Sequence, residues 1–144
     1  MDKTGDTVRL FFYGLFMDAG LLASRGIRAS ETAIGYVDGY TLDIGERATL
    51  QPSANSRAHG VLMRIAREDA AALYSGASVA DYVAERVIVS LRDGVQVTAD
   101  CYNLPAGKIA GANPEYVAAL LALAKKLELP GDYLDHIKSL GVPE

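Results

Sequence analysis

One cysteine, two histidines and no tryptophan occur among the 144 residues of the chain. Cys101 therefore has no partner for an internal disulfide, and no histidine or second cysteine lies beside it in a metal-binding spacing. His59 and His136 are far apart in the sequence and form no ligand pattern either. No G-x-G-x-x-G stretch follows a predicted strand, so a dinucleotide site is not expected. The sequence predicts neither a metal ion nor a cofactor.

Blocks of positive charge and long apolar runs are also lacking. The 14 lysines and arginines against 18 aspartates and glutamates leave a net charge of -4, which argues against a nucleic-acid partner. No apolar run is long enough to span a bilayer, and the first residues, MDKTGDT, lack the apolar core of a signal peptide. We therefore expect a cytoplasmic protein with no membrane contact.

Several segments carry the patterns of strands. Apolar or alternating runs predict strands at residues 8–12, 32–45 and 58–65, the second of them bent or divided at Gly35 and Gly39. The stretch ATLQPSANS predicts a brief strand followed by a polar loop. Two further alternating runs, YVAERVIVSL and VQVTADCYNL, are joined by Arg92-Asp93-Gly94, and an Asp-Gly pair between such runs is typical of a β-hairpin.

Helices are predicted between and after these strands. Asp18 is placed to cap a short helix, and residues 66–74 have helical propensity. Asn113-Pro114 is a typical helix start, and residues 132–141 form a last short helix. This arrangement favours an α+β fold with a mixed or mostly antiparallel sheet, curled into a small barrel because glycines interrupt its long strands. We expect a single domain over residues 1–144.

The order of these segments resembles the γ-glutamylcyclotransferase-like family. The resemblance is carried by FFYGLFMDAGLL, then GYVDGYTLDIGERATLQPS, then HGVLMRI and the hairpin, and it extends from about Leu10 to about Tyr133. It implies a small mixed β-barrel flanked by short helices, with a pocket between the Tyr-Gly loop and the barrel wall. The ligand implied is a small γ-glutamyl compound or another carboxylate or amide. A homo-oligomer is left open.

The family's Tyr-Gly loop offers backbone N–H groups to a carboxylate or carbonyl oxygen of the substrate, which suits a strand-to-helix turn containing glycine. The residue after the glycine is usually serine or threonine, whereas here it is Leu15. The substrate-binding residues implied by the resemblance are Tyr13, Gly14, Leu15, Phe16 and Met17 in the loop, and Tyr82 and Tyr116 elsewhere.

A catalytic glutamate is the feature that does not match. In active members it lies in Leu-Asp-x-x-Glu-Gly and takes a proton from the substrate's α-amine, which then attacks the γ-carbonyl and releases 5-oxoproline. The segment here is LYSGASVADY, and the aligned residue is Ala77 or Ser75, depending on the anchor. Neither can act as a base. The acids that could replace it are Asp81, Glu85 and Glu46.

Simpler interpretations remain beside these. Tyr13-Gly14 is also typical of a buried aromatic beside a tight turn, and an acid at a strand's start, such as Asp81 or Glu85, is typical of a solvated edge. Glu46 has Arg47 as its neighbour, which is typical of an exposed charged turn. The sequence thus predicts a cyclotransferase with a displaced carboxylate, or a catalytically silent relative that binds a ligand or regulates a partner. A purely structural protein is the third alternative.

Overall fold

A computed structural model of the chain describes residues 6–45, 47–73, 82–104 and 113–140. Within these ranges the chain forms five strands, four α-helices and one 3-10 turn. In chain order they are β1 (Thr7–Phe12), the 3-10 turn (Leu15–Met17), α1 (Ala19–Ser24), β2 (Ser30–Ile44), β3 (Ala48–Ala66), α2 (Arg67–Leu73), β4 (Val83–Leu91), β5 (Gln96–Asn103), α3 (Pro114–Lys126) and α4 (Gly131–Leu140).

The strands close into a barrel in the order β1-β3-β2-β4-β5. β1 and β5 run parallel, and every other neighbouring pair is antiparallel. The long ladders are β1 with β3, β2 with β3, and β4 with β5, whereas β2 meets β4 only at Gly35–Leu91 and Tyr36–Ser90. The predicted α+β fold with a curled, mixed barrel is confirmed.

The polar loop predicted within ATLQPSANS is wrong, because β3 continues through it as one strand. Pairing with β2 stops after Tyr40–Pro52 and resumes at Asp38–Arg57, so residues 53–56 lie opposite Gly39 alone. Gly39 takes a φ of 86°, a conformation that favours glycine. The ladder resumes where the Arg57 guanidinium pairs with the Asp38 carboxylate at 2.7 Å. The polar residues that indicated a loop therefore form a large β-bulge within β3.

The bulge changes which residues of β2 face the barrel interior. Before it, Val37 is 3% exposed; after it, Leu42 and Ile44 are 1% and 8% exposed, and Tyr40 packs against the same core. Simple alternation from Val37 would have placed Tyr40 on the outer face. The extra residues on β3 therefore bring a tyrosine into the interior of the barrel.

β1 lies close against β3 in the core. A side chain at Gly60 would collide with the Phe12 carbonyl oxygen and would reach within 2.8 Å of the Phe11 ring. Phe11 and Met63 are almost wholly buried here, and Leu120 of α3 and Ile137 of α4 are fully buried in the same core. The helices therefore bury apolar surface continuous with that of the barrel.

Two helices begin at the predicted caps. The Asp18 carboxylate accepts the Gly20 N–H at 2.9 Å at the start of α1. The Asn113 side chain accepts the Tyr116 N–H at 3.1 Å at the start of α3, with Pro114 in the first turn. Of the helices in the described ranges, none combines the length and the apolar character needed to cross a bilayer.

Candidate functional site

Tyrosines from three distant parts of the chain meet around Gly14 and Ala48. Tyr13 follows β1, Tyr82 precedes β4, and Tyr116 lies in the first turn of α3. The Tyr82 hydroxyl donates to the Ala48 carbonyl at 2.5 Å, and the Tyr13 hydroxyl lies 3.5 Å from the same oxygen. We call Tyr13, Gly14, Tyr82 and Tyr116 the tyrosine site.

Gly14 and Tyr116 are in direct contact. A methyl group on Gly14 would collide with the Tyr116 hydroxyl oxygen. The next residue, Leu15, donates its backbone N–H to that oxygen at 3.3 Å. Gly14 itself is extended, with φ of -111° and ψ of -151°, so its backbone angles do not require glycine. Glycine is needed here because the tyrosine comes so close.

The Tyr116 hydroxyl accepts one hydrogen bond and donates none within the described residues. Its oxygen accepts the Leu15 N–H, and no acceptor for its proton is found among the described residues. Burial raises the pKa of Tyr116, although the Leu15 N–H opposes this. The hydroxyl therefore stays protonated at neutral pH, and the Tyr116 residue is half-buried. It is a neutral hydrogen-bond donor held at a fixed place beside the loop.

The other two hydroxyls of the tyrosine site bond to the barrel backbone. Tyr13 donates to the Tyr102 carbonyl at 2.6 Å, which ties the end of β1 to β5. Burial, reinforced by Tyr116 nearby, raises the pKa of Tyr82 to about 12, while Arg47, 5.8 Å above its ring, acts in the opposite direction. The Tyr82 hydroxyl thus stays protonated and donates to the Ala48 carbonyl. The Tyr13 and Tyr82 rings border the tyrosine site.

The apolar residues of the loop anchor its turn. Met17 is 2% exposed and belongs to the core. Phe16 packs edge-on against Phe12, with ring centroids 5.9 Å apart, and the Arg25 guanidinium lies 5.4 Å from its centroid. Leu15 is half-buried against the core. These contacts explain the large apolar side chains of the turn, and of this loop the tyrosine site includes only Tyr13 and Gly14.

Glu85 lies on the inner face of β4. It is paired across the hairpin with Cys101, which is fully buried, and residues directly opposite one another share a face of the sheet. Its Oε1 accepts the Asn103 Nδ2 at 2.7 Å. Asn103, 3% exposed, uses its Oδ1 to accept the Leu50 N–H at 3.2 Å. The carboxylate is therefore oriented by a buried amide, yet Glu85 itself is exposed.

Glu85 adjoins the tyrosine site. Leu50, which orients Asn103, is two residues from Ala48 on β3, and Tyr102, which accepts from Tyr13, precedes Asn103 on β5. Tyr40 of β2 is near enough for the Glu85 charge to act on its hydroxyl. Burial raises the pKa of Tyr40 and the Glu85 charge adds to that rise.

The remaining acids and the two aligned positions cannot be placed in this arrangement. Glu46, Ser75, Ala77 and Asp81 lie outside the described residues, so their roles stay predictions. Sequence reasoning overlooked Asn103 and Tyr40. Asn103 could have been found from the hairpin register, because that register puts Glu85 opposite Cys101 and Asn103 lies two residues further along β5, on the same face. No sequence signal indicated the bulge that turns Tyr40 inward.

The two histidines lie away from the tyrosine site, whereas Cys101 lies opposite Glu85. His59 and His136 pack against Tyr133 and β2, and in the described ranges no three His, Cys, Asp or Glu side chains are grouped as metal ligands. Burial, with Glu85 adding to it, raises the pKa of Cys101 to about 12, so its thiol stays protonated and unreactive. Among the described residues, the tyrosines offer hydrogen bonds and Glu85 offers a carboxylate.

The fold is that of known structures, although neither a protein-family model nor a curated protein matches the sequence. A structure described as γ-glutamyl cyclotransferase is similar with a TM-score of 0.78 and 19% identity, covering 96% of this chain and 90% of that one. A human protein described as uncharacterized is similar with a TM-score of 0.78 and 20% identity, covering 96% of this chain and 90% of that one. An AIG2-like protein from Mus musculus gives 0.58 and 15%, covering 78% of this chain and 83% of that one. The chain has the γ-glutamylcyclotransferase-like fold.

Proposed function

We propose that the tyrosine site binds a small molecule with a γ-glutamyl-type amide or a carboxylate, whose oxygen accepts the Tyr116 hydroxyl proton. The observation that carries this proposal is the fixed Tyr116 hydroxyl. It is held by the Leu15 N–H beside Gly14, and no described residue accepts its proton. The fold, shared with a structure described as γ-glutamyl cyclotransferase, supports the choice of ligand class.

The loop does not bind the ligand directly in this proposal: its Leu15 N–H donates to Tyr116, and Tyr116 donates to the ligand. The family pattern would have a backbone N–H bind the substrate oxygen directly, but here the Leu15 N–H is already bonded to Tyr116 Oη. The bond polarises the phenol, which makes its O–H a better donor. Tyr13 and Tyr82, whose hydroxyls bond to backbone carbonyls, wall the site without competing for the ligand oxygen.

Turnover is the second part of the proposal. In the cyclotransferase reaction the ligand's α-ammonium loses a proton, and its nitrogen forms a bond to the γ-carbonyl carbon. That nitrogen then loses a second proton and the bond from the carbon to the leaving nitrogen breaks. The leaving amine takes up both protons and departs as an ammonium ion as 5-oxoproline is released. Such a reaction needs a carboxylate base near the bound amine. A module that binds the same ligand without turnover is the alternative.

Calorimetric titration with γ-glutamylethylamide tests the binding. We expect Tyr116→Phe to weaken binding about tenfold, because one buried hydrogen bond to the ligand is lost. Tyr36→Phe is the matched control, since Tyr36 lies beside His59 and Arg57, away from the tyrosine site, and it should bind as the wild type does.

Equal dissociation constants for the wild type and Tyr116→Phe, or no binding by the wild type, would refute the binding proposal. The same samples, analysed for 5-oxoproline by mass spectrometry, separate the two alternatives. Release of 5-oxoproline by the wild type identifies a cyclotransferase, and binding without release identifies a silent ligand-binding module.

A further inference from the structure

We propose that Glu85, oriented by Asn103, binds the ammonium group of the ligand held at the tyrosine site. This inference rests on the proposed function and extends it, since it adds a positive charge to the ligand's required chemistry. The ligand is then a small molecule with an ammonium group at one end and an amide or carboxylate oxygen at the other.

The position of Glu85 is unusual for a charged residue. The inner residues of β4 that follow it, Val87 and Val89, are 5% and 0% exposed and line the core. Glu85 continues the same inner row but is exposed. Paired contacts between β2 and β4 occur only at Gly35 and Tyr36, near the far end of β4, so in the described chain no β2 residue pairs with Glu85. In the described part of the chain, this carboxylate therefore lies beyond the paired positions of β2 and β4 and is exposed.

The Asn103 amide orients Glu85 without cancelling its charge. Because Asn103 Oδ1 accepts the Leu50 N–H, its Nδ2 must be the atom that faces Glu85 Oε1. A neutral donor fixes the direction of a carboxylate and leaves its full negative charge available. A lysine or arginine in the same place would have neutralised it.

No cation satisfies this charge in the described part of the chain. The neighbouring Arg86 points to the other face of β4, where its guanidinium pairs with the Asp100 carboxylate at 3.1 Å. No described lysine, arginine or histidine forms an ion pair with Glu85. A carboxylate at a partly apolar wall attracts a cation more strongly than one in bulk water does. An ammonium group, with three N–H donors, fits the oxygen atoms that Asn103 leaves unused.

A short series of contacts along the barrel connects Glu85 with the tyrosine site. Glu85 and the tyrosine site are joined through Asn103, Leu50 and Ala48, and the last two are only two residues apart on β3. Two residues of a strand span about 7 Å. This step between Leu50 and Ala48 is within the length of a γ-glutamyl amide, and in the proposed complex the amine of the ligand lies at Glu85 and its amide oxygen at Tyr116.

The test compares two ligands that differ only in the amine. The first is γ-glutamylethylamide and the second is N-ethylglutaramic acid, which lacks the α-ammonium group. For the wild-type protein, calorimetry should show that the second ligand binds at least about tenfold more weakly, as expected when a charged hydrogen-bonded pair is lost.

The variant Glu85→Gln should abolish this discrimination. Glutamine keeps the oxygen that accepts the Asn103 amide, so the hydrogen bond is retained while the charge is removed. Its affinity for γ-glutamylethylamide should fall to that of the second ligand. Glu68→Gln, on the exposed surface of α2, makes the same chemical change away from the site and should discriminate as the wild type does.

Each outcome decides the inference. Equal wild-type affinity for the two ligands would overturn the role of Glu85 and leave the proposed function standing. Absence of binding for both would overturn the proposed function, and the inference with it. Retained discrimination in Glu85→Gln would assign the ammonium to another group. If that variant does not fold, as judged by thermal melting, the wild-type comparison alone decides.

Discussion

Gly14 and Tyr116 show how one residue's identity depends on another that is 102 positions away. The glycine has extended backbone angles that any residue adopts, and glycine's conformational freedom plays no part. Its hydrogen atom leaves room for the Tyr116 hydroxyl. The Tyr-Gly pair was predicted to be a loop that binds ligand oxygen by its backbone, and in the structure its nearest neighbour is a side chain from α3.

A double-mutant cycle tests this contact. Gly14→Ala should destabilise the protein by about 2 kcal/mol, because the new methyl group overpacks against the Tyr116 hydroxyl. In a Tyr116→Phe background the same substitution should cost much less, since the next ring atom lies at an ordinary 3.7 Å from the new Cβ position. Urea unfolding measures both. Equal costs in the two backgrounds would show that the hydroxyl is not the obstacle.

Elements with a local chemical signal were predicted well. The β4–β5 hairpin follows from Asp93-Gly94 between alternating runs, and the start of α3 follows from Asn113-Pro114. The 19-residue strand β3 was not predicted, because its polar middle has the composition of a loop. Only the pairing of Asp38 with Arg57, a long-range contact, shows that the strand continues. Local patterns contain no information about such a partner.

The same distinction applies to the candidate site. Tyr13, Tyr82 and Tyr116 were proposed from a resemblance, and the structure brings them together around Gly14 and Ala48. Their different hydrogen bonds could not be deduced from the sequence, because each partner is distant along the chain: Tyr102 for Tyr13, Ala48 for Tyr82 and Leu15 for Tyr116. The inner position of Glu85 could have been deduced, since the hairpin register alone places it opposite Cys101.

α4 packs on the outer face of the barrel through Tyr133, whose partner is the titratable His59 of β3. The His59 ring contacts the Tyr133 ring edge-on at 4.8 Å between centroids. Burial and, next, the Arg57 guanidinium lower the pKa of His59 from its ordinary 6.5, and Asp132 and Asp38 oppose this. The folded protein therefore prefers neutral His59, while the unfolded chain binds the proton more readily.

The packing of α4 should thus be pH-dependent. The contribution of His59 to stability is fully present above pH 6.5 and declines as the pH falls below that value, until the folded imidazole is itself protonated. We expect the free energy of unfolding of the wild type to fall more steeply than that of His59→Gln when the pH is lowered to about 5. Urea titrations across this range measure the difference. Parallel curves would refute the assignment.

At the scale of the whole molecule, closure of the barrel depends on short seams. β1 and β5 are paired at Leu10–Asp100, and β2 and β4 at two positions, one of which is Gly35–Leu91. Gly35 is buried against β4, so that an added Cβ would lie 2.7 Å from the Ser90 carbonyl oxygen. The strands approach closely where they close the barrel, and Glu85 lies beyond the paired positions of β2 and β4.

Gly35→Ala should therefore disturb the closure of the whole barrel. We expect a loss of about 3 kcal/mol, because the methyl group meets backbone that cannot rotate away. Gly131→Ala, at the start of α4 with nothing within 4 Å of its Cβ position, is the control and should leave stability unchanged or slightly higher. Thermal melting of both variants measures this. A wild-type melting temperature for Gly35→Ala would contradict the tight seam.

We propose above that one small molecule contacts both Tyr116 and Glu85. A crystal structure of the wild-type protein with γ-glutamylethylamide tests it most directly. We predict that the ligand's amide or carboxylate oxygen lies within hydrogen-bond distance of Tyr116 Oη and that its ammonium lies against the Glu85 carboxylate. A ligand bound elsewhere, or bound here with its ammonium in solvent and its oxygen atoms away from Tyr116, would contradict it.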